Sequence, residues 1–239
     1  MKTTLLSRSF ATLLAATILI TGCRPEIDEV KERPDNIITT KPCQTLYRNI
    51  IDMFPEYKNN MDKAPALFSD TTEKRVILTK DSEVYLTFIS EGAGYSNSFG
   101  YYTYNQSTTL QGKSEVKLEI IFPNVSDRIL NQGDMLQLGT GKLPAGTVIG
   151  FFLVFQGWDH GAINWDKPVV LSDYALNAGG HQQHIFFKQK DCGDFVLAFE
   201  DQPLEDNSDF DFNDMIFTVS DNRDGNETVS FKMNDLSQL

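Results

Sequence analysis

Short runs of β-branched and aromatic residues, each closed by a turn signal, fill the chain from about Arg75 onward. The runs fall at 76–78, 84–89, 99–104, 116–122, 148–155, 184–187, 195–199, 215–219 and 229–233. Val, Ile, Tyr and Phe suit a pleated, half-buried surface and so favour strands. Asn-Gln-Ser at 105–107, Gln-Gly-Asp at 132–134, Leu-Pro-Ala-Gly at 143–146, Asn-Ala-Gly-Gly at 177–180 and Asp-Gly at 224–225 supply the turns between them. Many short strands with no sustained helical period bury their apolar faces by stacking sheet on sheet. The pattern predicts an all-β fold, an antiparallel β-sandwich that is jelly-roll-like, formed by residues 44–239 as one domain. One short N-terminal helix opens it, because Leu46, Ile50, Met53 and Phe54 recur at helical spacing and Pro55 stops the run.

Residues 1–22 read as a signal peptide. Lys2 and Arg8 flank the start of an apolar run at 10–20 that is too short to cross a bilayer, and Ile-Thr-Gly-Cys at 20–23 has the form of a lipoprotein cleavage site. Cys23 is then expected to become the lipidated first residue, anchored by palmitate-type acyl chains at about 0.8 kcal/mol per buried methylene. The similarity to bacterial lipoproteins implies an outer-membrane location, periplasmic or cell-surface facing, since Arg24 is not the Asp that retains such proteins at the inner membrane. Residues 23–43, with Pro25, Pro34 and Pro42, read as the lipidated N-terminus and a linker. The formal net charge of −12 becomes more acidic once Lys2 and Arg8 are removed. That balance argues against nucleic acid or an anionic lipid surface as a partner. Cys43 and Cys192 remain, in a compartment that permits disulfides. They either stay free or form a bridge whose long loop is worth about 5 kcal/mol in the chain-entropy model.

The densest chemistry lies at 199–217, where Glu200, Asp201, Glu205, Asp206, Asp209, Asp211 and Asp214 crowd together. No Lys or Arg occurs between Lys190 and Arg223. Carboxylates this dense repel unless they splay into water or gather round a cation. Phe210 and Phe212 alternate with Asp209, Asp211 and Asn213 as in a strand, whereas Met215, Phe217 and Val219 carry the apolar face in odd positions. The change of parity predicts a bend or bulge near Asn213 and Asp214 that aims Asp209, Asp211 and Asp214 at one point. Oxygen donors without Cys or His suit a hard cation such as Ca²⁺ better than zinc. The spacing is not that of an EF-hand, because counting from Asp209 puts Asp214 where Gly belongs and Ser220 where Glu belongs. The residues alone leave two readings, an oxygen-ligated metal and a solvated acidic loop.

Other candidates are weaker. Glu91, in a Gly-rich turn at a strand end, could complete the cation shell from across the sandwich or be an ordinary turn carboxylate. Asp173 and Asn177 fit an Asx-type turn more simply than a second oxygen site. His181 and His184 point to opposite faces if extended, so they do not share a metal. Trp158 and Trp165 flank a polar loop where flat rings beside Asn and Asp could contact a glycan, or one could be core and one rim. Tyr95, Phe99, Tyr101, Tyr102 and Tyr104 read as core and cross-strand pairs. No nucleophile elbow, phosphate loop or zinc spacing is present, and adjacent acids on one loop do not make a glycosidase dyad, so no catalytic residue is expected.

Four stretches together resemble one family, the domain of unknown function 4114, found in bacterial surface lipoproteins and large secreted adhesin-like proteins. They are 84–104, 150–158, 172–177 with His184, and Phe199-Glu-Asp followed by Asp-Phe-Asp-Phe-Asn-Asp-Met-Ile-Phe at 209–217. The resemblance implies a β-sandwich and Ca²⁺ at Glu200, Asp201, Asp209, Asp211 and Asp214; Asn213 and Glu91 are added as candidate oxygen donors from the residues themselves. It implies no reaction. Residues 202–208 lack the Gly found in relatives, which leaves the loop's shape open. The resulting expectation is a calcium-ordered module for binding or adhesion, with a glycan or protein ligand. An envelope or appendage component with a purely stabilising cation is the alternative, and a carbohydrate-active enzyme the third reading.

Overall fold

The computed structural model describes residues 30–92, 94–202, 208–224, 230–232 and 237–239. The signal at 1–22, Cys23, Glu205 and Asp206 lie outside the described residues. In chain order the strands are β1 (Ile38–Thr39), β2 (Val76–Ile77), β3 (Tyr85–Glu91), β4 (Asn97–Asn105), β5 (Glu119–Val125), β6 (Asp134–Gln137), β7 (Thr147–Val154), β8 (Trp158–Asp159), β9 (Ala162–Ile163), β10 (Val169–Leu171), β11 (His184–Lys188), β12 (Phe195–Phe199) and β13 (Met215–Ser220). Helix α1 (Leu46–Met53) is the one α-helix among the described residues.

Two antiparallel sheets carry the fold. The first runs β1-β6-β3-β13-β12-β11, and the second runs β10-β7-β4-β5 with β2 added along β7. Strands β8 and β9 form a separate hairpin. The all-β antiparallel sandwich with one short helix is therefore the architecture observed.

The first sheet is covered on both sides, which explains why its strands read as nearly continuous apolar runs. Phe195, Leu197 and Phe199 of β12 face the second sheet, as do Met215, Phe217 and Val219 of β13. Val196, Ala198 and Ile216 face outward and lie under Leu46, Ile50 and Phe54 at α1. Phe99 from β4 is the hinge of the inter-sheet packing, with ring centroids 4.3 Å from Phe217 and 5.3 Å from Phe199. Each such fully buried side chain contributes about 1.5–3 kcal/mol. The outer face of the second sheet is thinner, with Tyr102, Phe152, Val154 and Leu171 at its centre. There Gly150 lies opposite Tyr102 and Gly100 opposite Phe152. A Cβ on Gly150 would come within 2.2 Å of the Tyr102 ring, so only glycine lets that ring lie flat across the strand.

Three features depart from the sequence reading. The stretch 209–213 is not a strand, since Phe210 and Phe212 have φ of 59° and 57° and β13 begins only at Met215. The bend expected near Asn213 and Asp214 is present, at the left-handed Phe212 and at Asp214 itself, but no strand bulge falls there. A bulge does exist, but further on, between Ile216 and Phe217 against β3. Tyr95 stands 39 % exposed rather than in the core.

Residues 30–43, read as the end of a linker, lie against the sandwich. Ile38 and Thr39 pair with Met135 and Asp134, the Arg33 guanidinium reaches the Asp134 carboxylate, and Cys43 is bonded to Cys192. Strand β6, part of it read as a turn, and strand β10 are too short and too mixed to show a period. Of the run at 229–233, Phe231 is described and bridges Leu78.

Candidate metal centre

Three neighbouring strand ends build the acidic corner. Phe199 pairs with Met215, so the residues just past β12, Glu200 and Asp201, stand beside those just before β13, Asn213 and Asp214. Met215 also pairs with Glu91, which brings the end of β3 to the other side. The segment after α1 closes the corner from below. The Asn60 N–H donates to Phe210 O at 2.9 Å, Asn60 Nδ2 donates to Asp211 O at 3.0 Å, and the Tyr57 N–H donates to Asp211 Oδ2 at 3.0 Å.

The left-handed conformations at Phe210 and Phe212 shape what lies between, each costing on the order of 1–2 kcal/mol for a residue with a Cβ. They are held by packing, as Phe212 is fully buried with its ring 5.0 Å from that of Phe68. They also turn backbone donors inward. The Phe212 N–H donates to Glu200 Oε2 at 3.2 Å and the Asn213 N–H to Asp211 Oδ1 at 3.2 Å, while the Ser208 side-chain hydroxyl separately donates to Glu200 Oε1 at 2.6 Å.

Glu200, Asp211 and Asp214 offer one oxygen each within 4.8 Å of one another, and so do Glu56, Asp209 and Asp211. The corner is thus two clusters that share Asp211. Asp201 sits at the edge of the first, accepting from Asn97 Nδ2 at 2.9 Å while its own N–H donates to Asp214 Oδ2 at 2.7 Å. Glu91 Oε2 accepts from the Asp127 N–H at 3.2 Å, and its Oε1 is buried without a hydrogen-bond partner.

Burial is severe, with Glu200 and Asp211 1 % exposed, Asn213 2 % and Asp201 3 %. None of these carboxylates takes part in an ion pair among the described residues. Burial, opposed by the Ser208 and Phe212 donors and helped by the charges of Asp211 and Asp209, raises the Glu200 carboxyl to about 7. Glu91 rises to about 7, chiefly by burial. Asp211 and Asp214 are raised by burial and by the charges around them, Asp201 and Glu200 acting on Asp214. Without a counter-cation these groups hold protons near neutral pH, and a bound cation would displace them. An all-oxygen donor set of carboxylates, an amide and backbone carbonyls matches Ca²⁺ in kind.

The other candidates separate. Asp173 accepts from the hydroxyls of Tyr102 at 2.7 Å and Tyr104 at 2.9 Å, while Asn177 brackets Leu171 through bonds to its N–H and C=O, both at 2.8 Å. His184 is fully buried, stacked 5.3 Å from Phe199, with Nε2 3.1 Å from Lys74 O and no partner for Nδ1. Trp165 is 48 % exposed and tilts against Phe152, whereas Trp158 lines a different hollow with Val30 and His160. Sequence reasoning missed Glu56, which no local spacing connects to a loop far downstream. Its position after a helix terminated by proline carried no signal of its own.

Neither a curated protein nor a solved structure matches the chain. Residues 143–222, which run from the turn before β7 through β13 and hold every acid of 199–217, match the model of a family of unknown function, DUF4114, and it is this family that the stretch is similar to.

Proposed function

We propose that this chain is an exported, lipid-anchored β-sandwich whose acidic corner is ordered by Ca²⁺ and which serves as a binding or adhesion module. One observation carries the cation: Glu200, Asp201, Asp211 and Asp214 are gathered at buried or half-buried positions with no Lys or Arg among the described residues paired to any of them. Removing one partner from a buried ion pair typically costs 3–5 kcal/mol, and here the described residues supply no cationic partner to begin with. Glu200, Asp211 and Asp214 are the residues that would hold the ion, with Asp201 and Glu91 beside them. The ion would supply positive charge and fix the loop between β12 and β13. Export is supported by Lys2, Arg8, the apolar run and Cys23 at the N-terminus, and by the Cys43–Cys192 bridge, a bond of oxidising compartments.

Thermal unfolding of the full-length chain in Ca²⁺, in Mg²⁺ and in EDTA tests the reading. At about 1,000 times its dissociation constant a ligand adds about 4 kcal/mol, which in a domain of this size raises the midpoint by about 10 °C. The expected result is a rise with Ca²⁺ that Mg²⁺ does not reproduce. No rise would remove the cation. A rise without Ca²⁺-dependent retention of any glycan or matrix protein would leave the ion as a stabiliser and remove the binding role.

A further inference from the structure

Asp211 is shared by two clusters, and the second has the signs of a site in its own right. Asn213 is 2 % exposed, and its Nδ2 donates to Phe54 O at 2.8 Å, which fixes which way the amide faces. Its Oδ1 is buried and has no hydrogen-bond partner. An unpaired buried amide oxygen costs about 1–3 kcal/mol, so its position needs a reason. Gly92 shows where that oxygen is aimed. A Cβ built on Gly92 would lie 3.0 Å from Glu56 Oε1 and 3.7 Å from both the backbone and side-chain oxygens of Asn213. Three oxygens thus surround a small space that the missing side chain leaves open. Glu56 in turn is within 4.8 Å of Asp209 and Asp211 oxygens. Fully buried Asn60, which donates to Asp211 O, leaves its own Oδ1 unpaired as well.

We infer a second divalent-cation subsite, formed by Glu56, Asp209 and Asp211 with the carbonyl oxygens of Asn213, that clamps the segment after α1 onto the acidic loop. It rests on the calcium reading of the corner and adds a residue from outside the acidic stretch. The donor set is entirely hard oxygen, which suits Ca²⁺, with water completing a coordination of about 6–8. Glu56 lies beyond the end of α1, whose opposite end follows the Cys43–Cys192 bridge. The helix is therefore fixed covalently at one end and, through this subsite, by an ion at the other.

Calcium binding to the full-length chain, measured by equilibrium dialysis with Ca²⁺ alone, tests this against Glu56→Gln and Asp214→Asn. Asp214 belongs only to the first cluster and Glu56 only to the second, and Glu56 is an exposed position where a Gln does not threaten folding. The wild type should bind one ion more than either variant. Amide hydrogen exchange at 54–60 should slow with Ca²⁺ in the wild type and in Asp214→Asn but not in Glu56→Gln. If Glu56→Gln binds as many ions as the wild type with unchanged affinity while Asp214→Asn loses one, the second subsite is overturned and the calcium reading stands. Loss in Glu56→Gln alone supports this subsite and removes the first. A wild type that binds no Ca²⁺ overturns both.

Discussion

Asp173 and Asp211 are both carboxylates held within the sandwich, and their surroundings are opposite. Asp173 takes hydroxyl donors from Tyr102 and Tyr104 and has Arg75 4.0 Å away, at the edge of a hollow of about 500 Å³. Asp134, 2 % exposed, likewise has the Arg33 guanidinium. Asp211 has backbone N–H donors and four further acids, Glu56, Asp209, Glu200 and Asp214, among its near neighbours. Asp173 and Asp134 thus meet a cation or hydroxyls of the protein. At the acidic corner the Ser208 hydroxyl meets Glu200, but no cation of the described residues is paired there and acid faces acid. The contrast supports the proposal that an ion from outside supplies the missing charge, because self-repelling carboxylates in low dielectric persist only when protonated or paired.

The strongest way to break this contrast is to neutralise the corner. Asp211→Asn keeps an acceptor for one of the Tyr57 and Asn213 N–H groups, which bond to different oxygens of Asp211, while removing the charge shared by both clusters, and should abolish a Ca²⁺ stabilisation of about 4 kcal/mol. Asp214→Asn should invert the order of stabilities, being more stable than wild type in EDTA and less stable in Ca²⁺. Calorimetry in both buffers reads this directly. A Ca²⁺ response that survives Asp211→Asn would mean the ion sits elsewhere.

Acid provides the next test, at a buried group outside the corner. Burial lowers the His184 pKa from 6.5 to about 4, against the opposing Lys74 carbonyl. A base whose folded pKa lies below its unfolded value contributes stability that is fully present above about pH 6.5 and is lost as pH falls towards 4. At about 1.4 kcal/mol per pKa unit the lost stability is about 3 kcal/mol. His184→Phe should remove that acid limb from urea midpoints measured between pH 7 and 4, equally in Ca²⁺ and EDTA. An unchanged limb would put the acid sensitivity at other groups.

Asp173→Ala should cost about 1–3 kcal/mol by stripping the Tyr102 and Tyr104 hydroxyls of their acceptor, with no dependence on Ca²⁺. A Ca²⁺-dependent loss there would erase the distinction between the two regions. The smallest effect is expected from Glu56→Lys, which gives the corner a cation of its own. It should raise stability in EDTA by up to about 1 kcal/mol, as for an exposed pair, and weaken the response to Ca²⁺. Lower stability in EDTA would show that Glu56 does not feel the charge of Asp209 and Asp211.

Composition and period determined a good deal by themselves. The strand β12 at Phe195–Phe199, the helix that begins at Leu46 and stops before Pro55, and the two-sheet class follow from local preference and from the need to cover apolar faces. The density of carboxylates without a local cation was equally plain at 199–217, because like charge along one stretch of chain is a property of the chain itself.

What only the tertiary structure decided is which atoms meet. Alternation at Phe210 and Phe212 reads as a strand, yet both residues are left-handed, since packing against Phe68 and donors to Glu200 outweigh the extended preference. Sheet register brought Glu91 beside Met215 and set Glu200 against Asp214. A helix end delivered Glu56, and residues read as linker supplied β1 and the cation for Asp134. Period and charge are local and survive in a list of residues. Proximity across the sandwich depends on strand pairing and loop closure between distant segments, and no spacing in the chain encodes it.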